Sequence, residues 1–124
     1  MKLYLDDERQ PQQCIPWMKF RIGDVKAAIY NESWMVVTKY EEFIGAVEKH
    51  YKDITHVSFD HDLAEIKYDP MTQRESFAFY EKTGLDCAEY FKSFYEAKGI
   101  ELPIIFVHSM NGDGGKEKII NLFK

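Results

Sequence analysis

Three short apolar runs in this chain stop abruptly at clusters of ionisable or polar side chains, and that pattern constrains the fold more than any bulk property does. Leu3-Tyr4-Leu5 runs into Asp6-Asp7-Glu8-Arg9, the run ending at Phe59 delivers Asp60-His61-Asp62-Leu63, and residues 102–107 close on His108-Ser109-Met110-Asn111. Short apolar runs of this kind read as buried strands. In an open α/β sheet, ligands bind outside the carboxyl ends of the strands, so three such ends predict one shared pocket.

The segments between the runs carry helical periodicity. Residues 41–51 place Phe43, Ile44 and Val47 on one face. Residues 84–98 place Leu85, Ala88, Phe91 and Tyr95 inward, with Gly99 where a C-terminal cap belongs. Residues 115–123 bury Ile119, Ile120 and Phe123. Residues 2–5, 34–38, 55–59 and 102–107 read as strands, the third with Val57 and Phe59 on one side. Strands alternating with helices at this spacing predict a doubly wound, mostly parallel sheet of about four to five strands with right-handed crossovers. Residues 14–33 are less plain. Trp17-Met18-Lys19-Phe20-Arg21-Ile22 alternates like an edge strand, and Asp24 is placed to cap a short helix carrying Val25, Ala28 and Ile29. Gln10-Pro11-Gln12-Gln13 reads as a loop that no helix crosses easily. Residues 64–82 form a long polar loop beside the pocket, a common place for a lid.

With 124 residues, 45% of them hydrophobic, residues 1–124 fit one domain with one core. The strand-like start without an apolar leader, and the lack of a bilayer-length apolar stretch, point to a cytoplasmic protein without a membrane partner. Cys14 and Cys87 match no metal or redox spacing and read as buried or incidental thiols. The net charge of −5 argues against a broad basic surface for nucleic acid. A phosphorylated ligand fits the acidic pocket only where a divalent cation or protonated histidines reverse the local sign.

With Leu5-Asp6-Asp7-Glu8-Arg9, Phe59-Asp60-His61-Asp62-Leu63, Thr83-Gly84-Leu85-Asp86 and Val107-His108-Ser109-Met110-Asn111 in this order, the chain resembles the cyclic-phosphate processing receiver domain family of bacteria and their viruses. The resemblance implies a receiver-like (flavodoxin-like) fold and a role in handling cyclic phosphates, at RNA ends or on cyclic nucleotides. It also implies that Asp6, Asp7 and Asp60 match the acidic pocket by which receivers hold Mg²⁺. Ser109 falls where receivers keep a phosphate-contacting hydroxyl, while His61 and His108 are features an ordinary receiver lacks. Residues 18–33 look inserted relative to the compact family pattern. A fifth strand with the signalling lysine is missing, and Lys116 sits near a substitute position but in a helix.

The residues also carry a chemical argument of their own. Hydrolysing a cyclic phosphodiester takes a proton from water and gives one to the leaving oxygen, and two histidines, His61 and His108, can divide those tasks with Asp60 beside them. A cation, Mg²⁺ or Mn²⁺, held by Asp6, Asp7 and Asp60 would neutralise phosphate oxygens or lower the pKa of bound water. Arg9 would fork onto a nonbridging oxygen, with Ser109, Asn111 and the amides after Gly112-Asp113-Gly114-Gly115 as further donors. The expected ligand is a phosphorylated small molecule or an RNA end.

Each motif has a structural alternative. The acidic cluster can be a solvated turn, Arg9 can pair with Glu8 or Asp62, and His108 can be a core histidine. Thr83 and Asp86 fit a helix capping box. His50 and His56 read as structural or surface residues. Trp17 and Phe20 can serve a partner interface, although aromatics are more often core. Two other functions compete with a phosphoesterase. One is a receiver-like module whose Asp60 accepts a phosphoryl group, and the other is a non-catalytic module that binds a nucleotide or protein. Asp60-His61-Asp62 also suggests a haloacid-dehalogenase-like phosphatase, which the chain length opposes.

Overall fold

In the computed structural model, residues 1–60, 84–109 and 115–124 are described. Four strands, β1 (Lys2–Leu5), β2 (Met35–Val37), β3 (His56–Phe59) and β4 (Ile104–Val107), form an all-parallel sheet in the order β2-β1-β3-β4. The helices are α1 (Ile15–Ile22), α2 (Asp24–Ala27), α3 (Tyr40–His50), α4 (Gly84–Lys98) and α5 (Gly115–Leu122). This is the expected receiver-like α/β architecture, with four strands among the described residues.

Side-chain alternation along the strands sorts the core into two layers. Leu3, Leu5, Val57, Phe59 and Val107 face α3, α4 and α5, packing with Phe43, Val47, Ala88, Phe91, Tyr95 and Ile119. Tyr4 faces the opposite way and packs with Cys14, Met18, Ala27 and Tyr30, with Trp17, Trp34 and Phe106 partly buried around them. Both cysteines are buried free thiols, as their spacing suggested.

The segment before β2 departs from the sequence expectation. Residues 17–22 belong to helix α1, not to an edge strand. Met18, Phe20 and Ile22 suggest alternation, but Cys14, Met18 and Ile22 also recur at helical spacing, Pro16 suits the first helical turn, and Phe20 is left 84% exposed. The tertiary layer, which needs one stripe buried, decided between the two periods. Pro11–Cys14 is a short 3-10 turn, not a loop free of helix. Gly23, at φ 87°, makes the corner between α1 and α2, so Asp24 opens α2 as its first residue and does not cap it. Val25 points to solvent at 90% exposure. Residues 18–33 are no appendage. They are most of the β1-to-β2 crossover and, with Cys14, Ile15 and Trp17 just before them, they pack on that face of the sheet.

Smaller differences concern burial at the margins. Residues 34–38 and 102–107 read as buried strands, but both are edges of the described sheet: β2 has three residues with Met35 exposed, and β4 is confined to Ile104–Val107 with Ile104 57% exposed. Ile120 is 37% exposed, because α5 turns Ile119 inward instead. Helix α4 has the expected limits and ends at Gly99, whose φ of 67° permits the Ile100 N–H to reach the Tyr95 carbonyl at 3.2 Å. Asp86 lies in its first turn, where a carboxylate complements the positive helix end. Thr83 and the expected loop 64–82 lie outside the described residues.

The layer between α3, α4 and the sheet centres on Phe91, which is fully buried and within 6.0 Å (ring centroids) of Phe43, 5.9 Å of Phe59 and 4.6 Å of Tyr95. Phe91→Ala is expected to lower unfolding stability by about 3–5 kcal/mol in urea titrations. Phe20→Ala, at the exposed site, is expected to stay within about 0.5 kcal/mol of wild type.

Candidate functional site

The sheet ladder continues one residue beyond three strands. Asp6 N–H donates to the Val37 carbonyl (3.1 Å), Asp60 N–H to Leu5 (3.0 Å) and His108 N–H to Phe59 (3.0 Å). Leu5, Phe59 and Val107 are in register, so the next residues, Asp6, Asp60 and His108, form one row at the carboxyl ends of three adjacent strands. All three are buried, and one ligand atom from each lies within 4.8 Å of the others. Parallel pairing therefore assembles the site from the three motifs that end the apolar runs.

The fully buried His108 ring uses both nitrogens. Nε2 lies 3.1 Å from Asp6 Oδ2, and Nδ1 lies 2.6 Å from Ser58 Oγ, which is 2.7 Å from the Tyr30 hydroxyl. Tyr4 stacks on the ring at 4.3 Å, and its hydroxyl donates to Asp6 Oδ2 at 3.3 Å. Asp6 Oδ1 accepts the backbone N–H groups of Glu8 (2.9 Å) and Arg9 (3.1 Å).

The charge states follow from this environment. Burial pushes the Asp6 carboxyl up, but the bonds from His108 and from the Glu8 and Arg9 amides outweigh it and hold the group below its usual value. Burial drives the His108 imidazole below its usual value, against the opposing pull of Asp6. The pair is thus a carboxylate beside a neutral ring. A carboxylate only accepts, so Nε2 carries the proton and Nδ1 accepts from the Ser58 hydroxyl. Burial also pushes the Tyr30 hydroxyl up and keeps it protonated, so Tyr30 donates to Ser58.

Helix α1 grips the same strand end. Trp17 Nε1 donates to the His108 carbonyl at 2.9 Å, and Arg21 donates to the Ser109 carbonyl at 2.6 Å. Leaving a buried carbonyl without such a partner would cost about 1–3 kcal/mol. The face of Trp17 carries the Arg9 guanidinium, 5.3 Å from the ring centroid, and Arg9 Nη1 lies 4.0 Å from Asp6 Oδ2. Arg9 thus pairs with Asp6, not with Glu8 as one sequence reading had it. Ser109 is fully buried, and its hydroxyl has no hydrogen-bond partner among the described residues. Such an orphaned donor fits a ligand oxygen at this position.

The donor set fits a hard divalent cation. Two buried carboxylates, Asp6 and Asp60, would supply oxygen ligands, and the neutral His108 spends its Nε2 proton on Asp6. Asp6 already accepts four donors, of which Tyr4 is the longest. The Tyr4 hydroxyl has an alternative acceptor in the Gln10 carbonyl at 3.4 Å, which would release one Asp6 lone pair. Asp7 is half-buried beside Asp6 in sequence and is not part of the 4.8 Å cluster. Lys116 pairs with Glu117 at 3.5 Å and lines a groove with Arg21 and Ile105 along β4.

The structure therefore brings Asp6, Asp60, His108, Ser109 and Arg9 to one strand-end region. His61, Asp62, Asn111 and the residues 112–114 lie outside the described residues. Sequence reasoning missed Ser58, Tyr30 and Arg21, and it left Trp17 undecided between core and interface. A serine inside an otherwise apolar parallel strand is the one signal that could have flagged Ser58.

The family model described as the cyclic-phosphate processing receiver domain matches residues 1–124, the whole chain, so the chain belongs to that family. No curated protein and no solved structure matches it. No described helix is long and apolar enough to cross a membrane.

Both members of the buried pair make stability fall on acidification. The unfolded chain takes up a proton on His108 below 6.5, the usual imidazole value, while the folded ring resists it, so stability declines as pH falls from there. The unfolded Asp6 protonates near 3.8, and the contribution of its hydrogen-bonded carboxylate disappears as pH falls further, through its lower folded value. The urea midpoint is expected to drop between about pH 7.5 and about pH 5. His56 is also held low by burial, so His56→Asn separates the two, and most of the drop is expected to survive it. An unchanged midpoint in wild type would show that the folded His108 ring accepts a proton freely.

Proposed function

We propose, with membership of the cyclic-phosphate processing receiver family as the premise, that this chain is a phosphoesterase that opens a cyclic phosphodiester. The substrate class is an RNA 2′,3′-cyclic phosphate end or a cyclic nucleotide. The observation that carries the reading is the row of Asp6, Asp60 and His108, three buried ionisable groups within 4.8 Å at the carboxyl ends of a parallel sheet. Perturbed, buried ionisable groups cluster at functional sites, where their cost is offset by the chemistry they do.

In this reading Asp6 and Asp60 hold Mg²⁺ or Mn²⁺, with Asp7, next to Asp6 in sequence, as the third proposed acid. When bound, the cation would neutralise phosphate oxygens and make water easier to deprotonate. Ser109 donates its hydroxyl, which has no partner among the described residues, to a phosphate oxygen. Arg9, held over Trp17, balances the charge of a second oxygen. Asn111 is the proposed amide donor. Ring opening forms a bond from a water oxygen to phosphorus and breaks one ring P–O bond. The water gives up a proton, and the leaving sugar oxygen takes one. Of the two histidines expected to divide these transfers, His108 has both nitrogens engaged, so its part is the support of Asp6. His61 and Asp60 are left to carry the protons.

A turnover screen tests the reading. Purified protein is incubated with 2′,3′-cyclic nucleotides, RNA ending in a cyclic phosphate, and cyclic dinucleotides, in Mg²⁺, Mn²⁺ or chelator. Ring opening by wild type is expected to fall by about 100-fold or more in His61→Ala and Asp60→Asn, and to stop in chelator. Covalent labelling of Asp60 by a small phosphodonor, with no ring opening, would replace this function by that of a phosphoacceptor. Thermal stabilisation by a substrate that is never opened would replace it by binding.

A further inference from the structure

Ser58 is an anomaly that the proposed chemistry does not use. It occupies the interior of β3 between Val57 and Phe59, fully buried, where a parallel sheet covered on both faces ordinarily keeps apolar side chains. Tyr30 poses the same question. Its ring packs edge-on against Tyr4 and stacks on Trp34, work a phenylalanine would do, yet it carries a hydroxyl into a dry layer. A buried hydroxyl without a partner is costly, and both of these are satisfied locally. They satisfy each other at 2.7 Å, and the surplus Ser58 proton goes to His108 Nδ1 at 2.6 Å.

We infer that Ser58 and Tyr30 are positioning residues for the site, a buried hydroxyl pair that fixes the tautomer and plane of His108 so that its Nε2–H holds Asp6 in one orientation. The donors run in one direction, from the Tyr30 hydroxyl to Ser58, from Ser58 to His108 Nδ1, and from Nε2–H to Asp6 Oδ2. Tyr4, stacked on the ring at an interplanar angle of 12°, and Tyr30, against its edge at 72°, leave the imidazole little freedom to turn. His108 is the partner one step removed from the ligand Asp6, a position whose loss elsewhere costs about 10–100-fold in metal affinity, and Ser58 and Tyr30 act through it. The inference rests on the reading that Asp6 and Asp60 take a divalent cation.

The test uses Mn²⁺ alone, with its free concentration read by electron paramagnetic resonance, and ¹⁵N resonances of the histidine rings in metal-free protein. Wild type is expected to bind Mn²⁺ and to show His108 protonated at Nε2 with a hydrogen-bonded Nδ1. Ser58→Ala is expected to lose the Nδ1 hydrogen-bond signature and to weaken Mn²⁺ binding by about 10-fold, the low end of the range for a partner that touches the ligand itself. Ser58→Thr, which keeps the hydroxyl, is expected to restore both. Should Ser58→Ala fail to fold, Tyr30→Phe removes only the far hydroxyl and is expected to weaken binding in the same direction by less. Equal Mn²⁺ affinity in wild type and the folded hydroxyl-lacking variants would overturn the positioning role alone, as would an Nδ1-protonated ring in wild type. Wild type that takes up no Mn²⁺ would overturn it together with the cation reading. Mn²⁺ binding by wild type that weakens in Ser58→Ala, with no ring opening of any substrate, would support the positioning role and overturn the phosphoesterase reading alone.

Discussion

The bond between His108 Nε2 and Asp6 Oδ2 joins residues 102 positions apart, and most of what surrounds the site is arranged to make it tolerable. A carboxylate at 1% exposure is costly unless several donors replace the water it lost. Asp6 receives two backbone amides from the turn that follows it, one tyrosine hydroxyl and one imidazole. His108 in turn needs a partner for its other nitrogen and finds it in Ser58. Each satisfied group creates the next demand, so the network runs inward until Tyr30 ends it against an apolar layer.

Two features of the fold meet that demand. One is the parallel ladder, which carries Asp6, Asp60 and His108 to one level by extending backbone pairing a residue past each strand. The other is the β1-to-β2 crossover, which supplies Tyr30, Trp17 and Arg21. From the same crossover come the donor at the buried end of the polar chain and the two donors that hold the carbonyls of His108 and Ser109. Architecture and site are therefore coupled, because the layer that covers this face of the sheet also orients the strand end.

The legible parts of the sequence were those where one physical signal dominates. The apolar runs at β1, β3 and β4, the helical stripes of α3 and α4, and the glycine that ends α4 each carry a clear period or cap. The segment 17–22 supports two periods, because Met18, Phe20 and Ile22 satisfy alternation while Cys14, Met18 and Ile22 satisfy a helix. Only the need to bury a single stripe against Tyr4 and Tyr30 separates the two. Asp6, Asp60, His108, Ser109 and Arg9 were legible because reactive side chains at the ends of buried strands are rarely there for packing.

Sequence alone determined that three polar strand ends would meet at one rim, since strand–helix alternation permits little besides a parallel sheet with its carboxyl ends together. It also placed the acidic residues there, through their position directly after the apolar runs. Tertiary structure alone decided what His108 does. The residues that claim its two nitrogens, Asp6 and Ser58, lie 102 and 50 positions away, and no local pattern encodes a distance of 2.6 Å between side chains on neighbouring strands. The same holds for Tyr30, Trp17 and Arg21, whose roles exist only once the crossover packs onto the sheet. Local periodicity reports which face a residue turns inward, whereas hydrogen-bond partners are set by which strands become neighbours.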